Sequence, residues 1–209
     1  MSAEKRMLRP ALKRGALIGI AVVLVIAGIG YAWFDYRFPS WKEEVLLPDG
    51  RKIIVRQRRD FIEGYGTRKT WLTFSLPEMG GEQTWSEYMQ PILIGVGSDK
   101  KVYVVGWPSG EKQMSRYRHP RYGYVAFGWD SGAFERIPFM SVPAALRLEE
   151  NVVRCNPGKD FLAWAEKSTH GCNEESVYLE GISRKIDLQQ MEAWALARAK
   201  RNNIVPLSD

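Results

Sequence analysis

Thiol and imidazole groups are scarce in this sequence: 209 residues hold two cysteines and two histidines. A structural zinc site needs four ligands at recognisable spacing, so no metal is expected, and no cofactor either. The signatures of common chemistry are missing as well. There is no glycine-rich phosphate loop ending in Lys-Ser/Thr, no dinucleotide glycine fingerprint, no His-Glu-x-x-His and no Gly-x-Ser-x-Gly elbow. That weakens the case for an enzyme. A basic folded domain is also lacking. The net charge is +6, but Lys5, Arg6, Arg9, Lys13 and Arg14 against Glu4 put four of those charges at the N-terminus. The rest of the chain is nearly neutral, and nucleic acid is not expected as a partner.

Apolar material is plentiful, at 45% hydrophobic and 12% aromatic residues with eight tryptophans, enough for the core of one domain. Residues 15–34 (GALIGIAVVLVIAGIGYAWF) carry no charge. At ~1.5 Å per residue, a helix of that length matches the ~30 Å hydrocarbon core of a bilayer. Positive charge gathers before this run, whereas Asp35 and Arg37 cancel after it, so the N-terminus is expected in the cytoplasm. Tyr31, Trp33, Phe34, Tyr36, Phe38 and Trp41 form an interfacial belt at the far end. A cleaved signal peptide with Gly30 and Ala32 at its processing site is the competing reading. The apolar run exceeds the ~7–15 residues of such a peptide, which favours a retained anchor. The expected organisation is a basic cytoplasmic segment (1–14), a transmembrane helix (15–34), a short linker (35–40), a periplasmic β-rich domain (41–186), and a C-terminal helix with tail (187–209).

β-type runs dominate that domain. Residues 41–47 and 51–57 flank Pro48-Asp49-Gly50, where Pro presets one turn dihedral and Gly accepts a positive one, predicting a hairpin. Further strands are predicted at 69–76, 91–96, 101–107, 122–129 and 133–138. Turns at Gly97-Ser98-Asp99 and Asp130-Ser131-Gly132 favour antiparallel pairing, hence a mainly β fold, sandwich or open barrel. Helix is predicted at 188–201, N-capped by Asp187, with Leu188, Met191, Trp194, Ala195 and Arg198 on the stripe that packs on the sheet. A shorter helix is predicted over 160–167, capped by Asp160.

The opening Trp41-x-Glu43-x-Val45-x-Leu47-x-Asp49-Gly50-x-x-Ile53-x-Val55, followed by Trp71-Leu72-Thr73-Phe74-Ser75-Leu76-Pro77 and Phe134-Glu135-Arg136-Ile137-Pro138, resembles a group of proteobacterial membrane-anchored or lipid-anchored proteins. The resemblance spans about residues 41–153 and implies an envelope address. It brings no catalytic residues.

Few side chains suggest chemistry. Cys155 and Cys172, outside the cytoplasm, favour a disulfide that closes a loop of about 18 residues and contributes ~3 kcal/mol. The sharper alternative makes His170 the base for a Cys172 thiolate nucleophile. The pairs Glu43-Glu44, Glu149-Glu150 and Glu174-Glu175 read as solvated charge, since neighbours on a strand face opposite ways. Arg116, Tyr117, Arg118, His119, Arg121 and Tyr122 interleave cations with aromatic rings, a pattern suited to an acidic glycan, phosphate or headgroup. The bland account is a loop whose Arg stems cover apolar surface while the tyrosines are half buried. Lys52, Arg56, Arg58 and Arg59 read as protection of an edge strand. The leading expectation is a non-catalytic envelope component, held by the bilayer and binding a protein or glycan. An anchored hydrolase or thiol enzyme, and an accessory subunit of a membrane complex, are the rivals.

Overall fold

The computed structural model describes residues 4–62, 66–147, 150–167, 188–202 and 204. Two units divide the chain, Met1–Phe38 and Pro39–Asp209. The first is the helix α1, Glu4–Arg37. It outruns the charge-free segment at both ends, because the Leu, Ala, Lys and Arg that precede Gly15 are strong helix formers. Ile18 to Tyr36 are exposed, and Ile18–Arg37 is long and apolar enough to cross a membrane. A continuous exposed apolar surface of this kind is stable only against lipid or another protein.

The second unit is mainly antiparallel β. β1 (Ser40–Leu46), β2 (Lys52–Ile62), β3 (Gly66–Leu76), β4 (Gly81–Glu87) and the two-residue β9 (Phe161–Leu162) make the first sheet, in the order β4-β3-β2-β1-β9. β5 (Gln90–Val96), β6 (Val102–Trp107), β7 (Val125–Asp130) and β8 (Ala133–Ile137) make the second, in chain order. Only β1 and β9 run parallel among the described pairings. The predicted turns close the hairpins. Gly50 takes a φ of 86°, and Ser131 and Gly132 both have positive φ in the two-residue connection from Asp130 to Ala133, the twist that hairpins favour.

The sheets face one another across a single core. Val45, Val55, Leu72, Phe74 and Trp85 from the first meet Ile94, Val96, Val104 and Phe127 from the second. Each large side chain sealed there contributes ~1.5–3 kcal/mol. In the second sheet β5 and β6 are buried on both sides, which is why they read as unbroken apolar runs rather than as alternation. Its outer face, Leu93, Tyr103, Val105 and Ala126, packs under Phe139, Val142 and Leu146 and under the helix α3 (Leu188–Arg201). Of the predicted helix stripe, Ala195 is buried, Leu188 and Met191 pack on this cluster, and Trp194 meets Trp107 with ring centroids 6.3 Å apart.

Four details differ from expectation. Residues 160–167 are not a helix: Phe161 and Leu162 pair with Lys42 and Glu43, and a 3-10 turn follows at Trp164–Glu166. The open edge of β1 captures the segment, with the Lys42 amide donating to the Asp160 carbonyl at 2.8 Å. β4 is silent in the sequence because its one large apolar residue, Trp85, gives no alternation to detect. The predicted 122–129 strand starts only at Val125, after Gly123 has taken a φ of 71° beneath Met191 and Trp194. A short helix, α2 (Glu111–Arg116), forms where no element is predicted from the sequence.

Asn151 joins the sheets. Its side-chain amide donates to the Leu46 and Ile94 carbonyls at 2.9 and 2.7 Å, and its oxygen accepts from the Ile94 amide at 2.9 Å. β5 is an edge strand, and Asn151 occupies hydrogen-bonding positions that a further strand would fill.

Candidate functional site

The segment singled out in the sequence is split by the fold. Tyr117 is buried at the end of α2; its hydroxyl donates to Glu87 at 2.7 Å and accepts the Tyr88 amide at 3.0 Å. Burial, reinforced by the Glu87 carboxylate, holds this phenol well above its ordinary pKa. His119 is also buried, 3.3 Å from the Ser115 hydroxyl and 3.5 Å from Glu111. Both Arg118 and His119 adopt positive φ as the chain turns out of the helix. Tyr122 and Tyr124 stack on Phe139, with centroids 5.8 and 5.4 Å away. Arg121 is exposed and pairs with Glu192 of α3 at 2.7 Å. The tyrosines of this segment are therefore mostly structural, and Arg116, Arg118 and Arg121 are what it shows to solvent.

Arg116 leads to a surface that the sequence did not disclose. Its guanidinium lies 4.0 Å from the Tyr88 ring centroid, and Lys69 approaches the same ring at 5.2 Å. Lys69 also lies 5.0 Å from Trp71, which Arg58 approaches from β2 at 6.0 Å. Arg58, Trp71, Lys69, Tyr88 and Arg116 thus alternate cation and ring from the outer face of the first sheet to α2. The register creates this row: Arg58 lies opposite Trp71, and Trp71 opposite Ser86. Beside it on β1 and β2, Lys42 and Arg56 form a neighbouring pair, both exposed. β2 is flanked by β1 and β3, so its cations do not guard an edge as expected. Arg59 faces the opposite way and is 2% exposed.

The inward face of β1 and β2 holds a second cluster. Glu43 is fully buried, contrary to its reading as solvated charge, because it alternates with Trp41 and Val45 on the core face. One of its oxygens sits 2.5 Å from the Lys167 ammonium and 3.0 Å from the Val153 amide; the other accepts from the Gln57 amide. Arg59 donates to the Gln57 carbonyl oxygen through Nε at 3.2 Å and Nη2 at 3.0 Å. Lys167 also donates to the Asn151 carbonyl at 2.8 Å. Burial pushes this ammonium below its usual pKa, against the opposing pull of Glu43. Glu150 is buried as well and pairs with Arg154.

No protein-family model, curated protein or solved structure matches the chain.

Function is therefore read from the geometry alone. Among the described residues no three His, Cys, Asp or Glu side chains gather as metal ligands. Cys155 is not a free thiol, while Cys172 and His170, the other members of the expected bridge and of its catalytic alternative, lie outside the described residues. The alternation of Trp41, Glu43 and Val45 was the available signal for the buried cluster. For the cation and ring row there was none, since it joins four separate segments.

Proposed function

We propose that this chain is a single-pass protein of the bacterial inner membrane whose periplasmic domain binds an acidic glycan of the envelope without catalysing a reaction. The observation that carries the reading is the row Arg58, Trp71, Lys69, Tyr88 and Arg116. Three cations held in line against the Trp71 and Tyr88 rings offer charge to the carboxylates or phosphates of a glycan, with ring edges beside them for its sugars. Pre-stacking matters here, because a cation lying on a ring loses less freedom when it meets an anion. The apolar helix supports the membrane address, and the basic residues before it support a cytoplasmic N-terminus. Trp71 opens the Trp71 to Pro77 motif that underlies the resemblance to anchored envelope proteins, and Lys69 precedes it by two residues.

Retention of the detergent-solubilised full chain on immobilised polygalacturonate, against neutral dextran, tests the proposal. Selective, salt-sensitive retention is expected, falling at least tenfold when Arg58, Lys69 and Arg116 are replaced by Ala. Equal retention of that variant, or none by the native chain, counts against the site. Protease added to intact spheroplasts should cut the domain; a domain cut only after lysis overturns the orientation.

A further inference from the structure

We propose that the chain modifies itself, Lys167 and Gln57 becoming joined by an intramolecular isopeptide bond, with Glu43 carrying the proton and Arg59 supporting the oxyanion. The four side chains stand in the order this reaction needs. A nucleophile must lose a proton, a carbonyl must be polarised, and a leaving nitrogen must gain a proton. The Glu43 carboxylate touches both nitrogens, lying 2.5 Å from Lys167 Nζ through one oxygen and hydrogen-bonded to Gln57 Nε2 through the other. The Gln57 carbonyl oxygen receives two hydrogen bonds from Arg59, at 3.2 and 3.0 Å, where negative charge would develop. The Val153 carbonyl accepts from Gln57 Nε2 at 3.0 Å and from Arg59 at 2.6 Å, holding amide and guanidinium together.

The step balances without a further reactant. Lys167 passes one proton to Glu43, and its lone pair attacks Gln57 Cδ to form the N–C bond. The tetrahedral oxyanion then collapses as the Cδ–Nε2 bond breaks. Nε2 takes up the proton from Glu43, and the restored carboxylate then accepts the remaining extra proton of Nζ and passes it to the departing ammonia, so that ammonium leaves and an amide replaces an amide. Burial assists at each stage. Glu43 and Gln57 are fully buried and the Lys167 side chain is 5% exposed, so water neither solvates the ammonium nor competes as nucleophile. Glu43 contacts both nitrogens at once, so the two groups need not meet by diffusion. The product would tie strand β2 covalently to the segment after β9. None of these side chains belongs to the exposed row, so this proposal and the binding reading stand or fall separately.

Mass spectrometry of the full chain, purified in detergent, reduced and alkylated, decides it. The native protein is expected to be lighter by one ammonia than its Lys167→Arg and Glu43→Gln variants, after allowing for each substitution. Digestion at aromatic residues should yield one branched peptide containing both Gln57 and Lys167. Recovery of the two residues in separate, unmodified peptides overturns the proposal, as does a lost ammonia that maps elsewhere. Peptides of the native protein alone distinguish these outcomes if a variant fails to fold.

Discussion

Replacing Asn151 by Ala deletes three hydrogen bonds at once and leaves the Ile94 amide, the Ile94 carbonyl and the Leu46 carbonyl without the side chain that serves them. Each such bond is worth about 1 kcal/mol net, and each buried group left unpaired costs ~1–3 kcal/mol. Asn151 is 8% exposed, so water reaches the vacated space poorly, and a loss of about 3–5 kcal/mol is expected. For a domain of this size each kcal/mol moves the midpoint by ~2–4 °C, which places the fall at roughly 6–20 °C. Tryptophan fluorescence of the detergent-solubilised chain reads it, as does urea titration with an unchanged slope. Asn151→Asp keeps the acceptor for the Ile94 amide but turns a carboxylate toward two carbonyls. Its cost should therefore grow as the pH rises through the carboxylate range. Asn156→Ala, which removes only an exposed bond to the Gly158 amide, is the control and should stay within ~0.5 kcal/mol. A loss below ~1 kcal/mol for Asn151→Ala would refute the idea that this side chain seals the β5 edge.

Three further outcomes are expected. Gly106→Ala would place a methyl 2.7 Å from Met89 Cγ and 3.2 Å from the Gln90 carbonyl, so overpacking should cost about 1–3 kcal/mol in the same denaturation assay. Burial, then the hydrogen bond to Asp99, pushes the Tyr103 hydroxyl up to about 12 from 10.0. A raised pKa means that its contribution to stability is complete below pH 10 and is lost as the pH climbs through about 12. Tyrosinate absorbance against pH, compared with Tyr103→Phe, checks that window. Finally, peptide mapping without reduction should recover Cys155 joined to Cys172, and reduction should lower stability by ~3 kcal/mol; a free Cys172 thiol would favour the catalytic alternative instead.

Local rules determined a good deal of this protein. A charge-free run of helix length, two-residue turns rich in Gly and Asp, and alternation along β1 and β3 each depend on neighbours in sequence. The long apolar helix, the hairpins and α3 are therefore legible in the residues themselves. Tertiary structure alone decided the rest. Whether a charged strand residue faces water or core depends on register and on what lies above the sheet. Glu43 and Arg59 thus proved buried while Arg58, adjacent to Arg59, lies on the outer face. Phe161 and Leu162 carry a helical pattern that yields to the unsatisfied edge of β1, since burying that edge gains more than one marginal turn of helix. The row from Arg58 to Arg116 and the cluster around Lys167 each unite residues distant in sequence, and the packing of strands and turns is what brings them together.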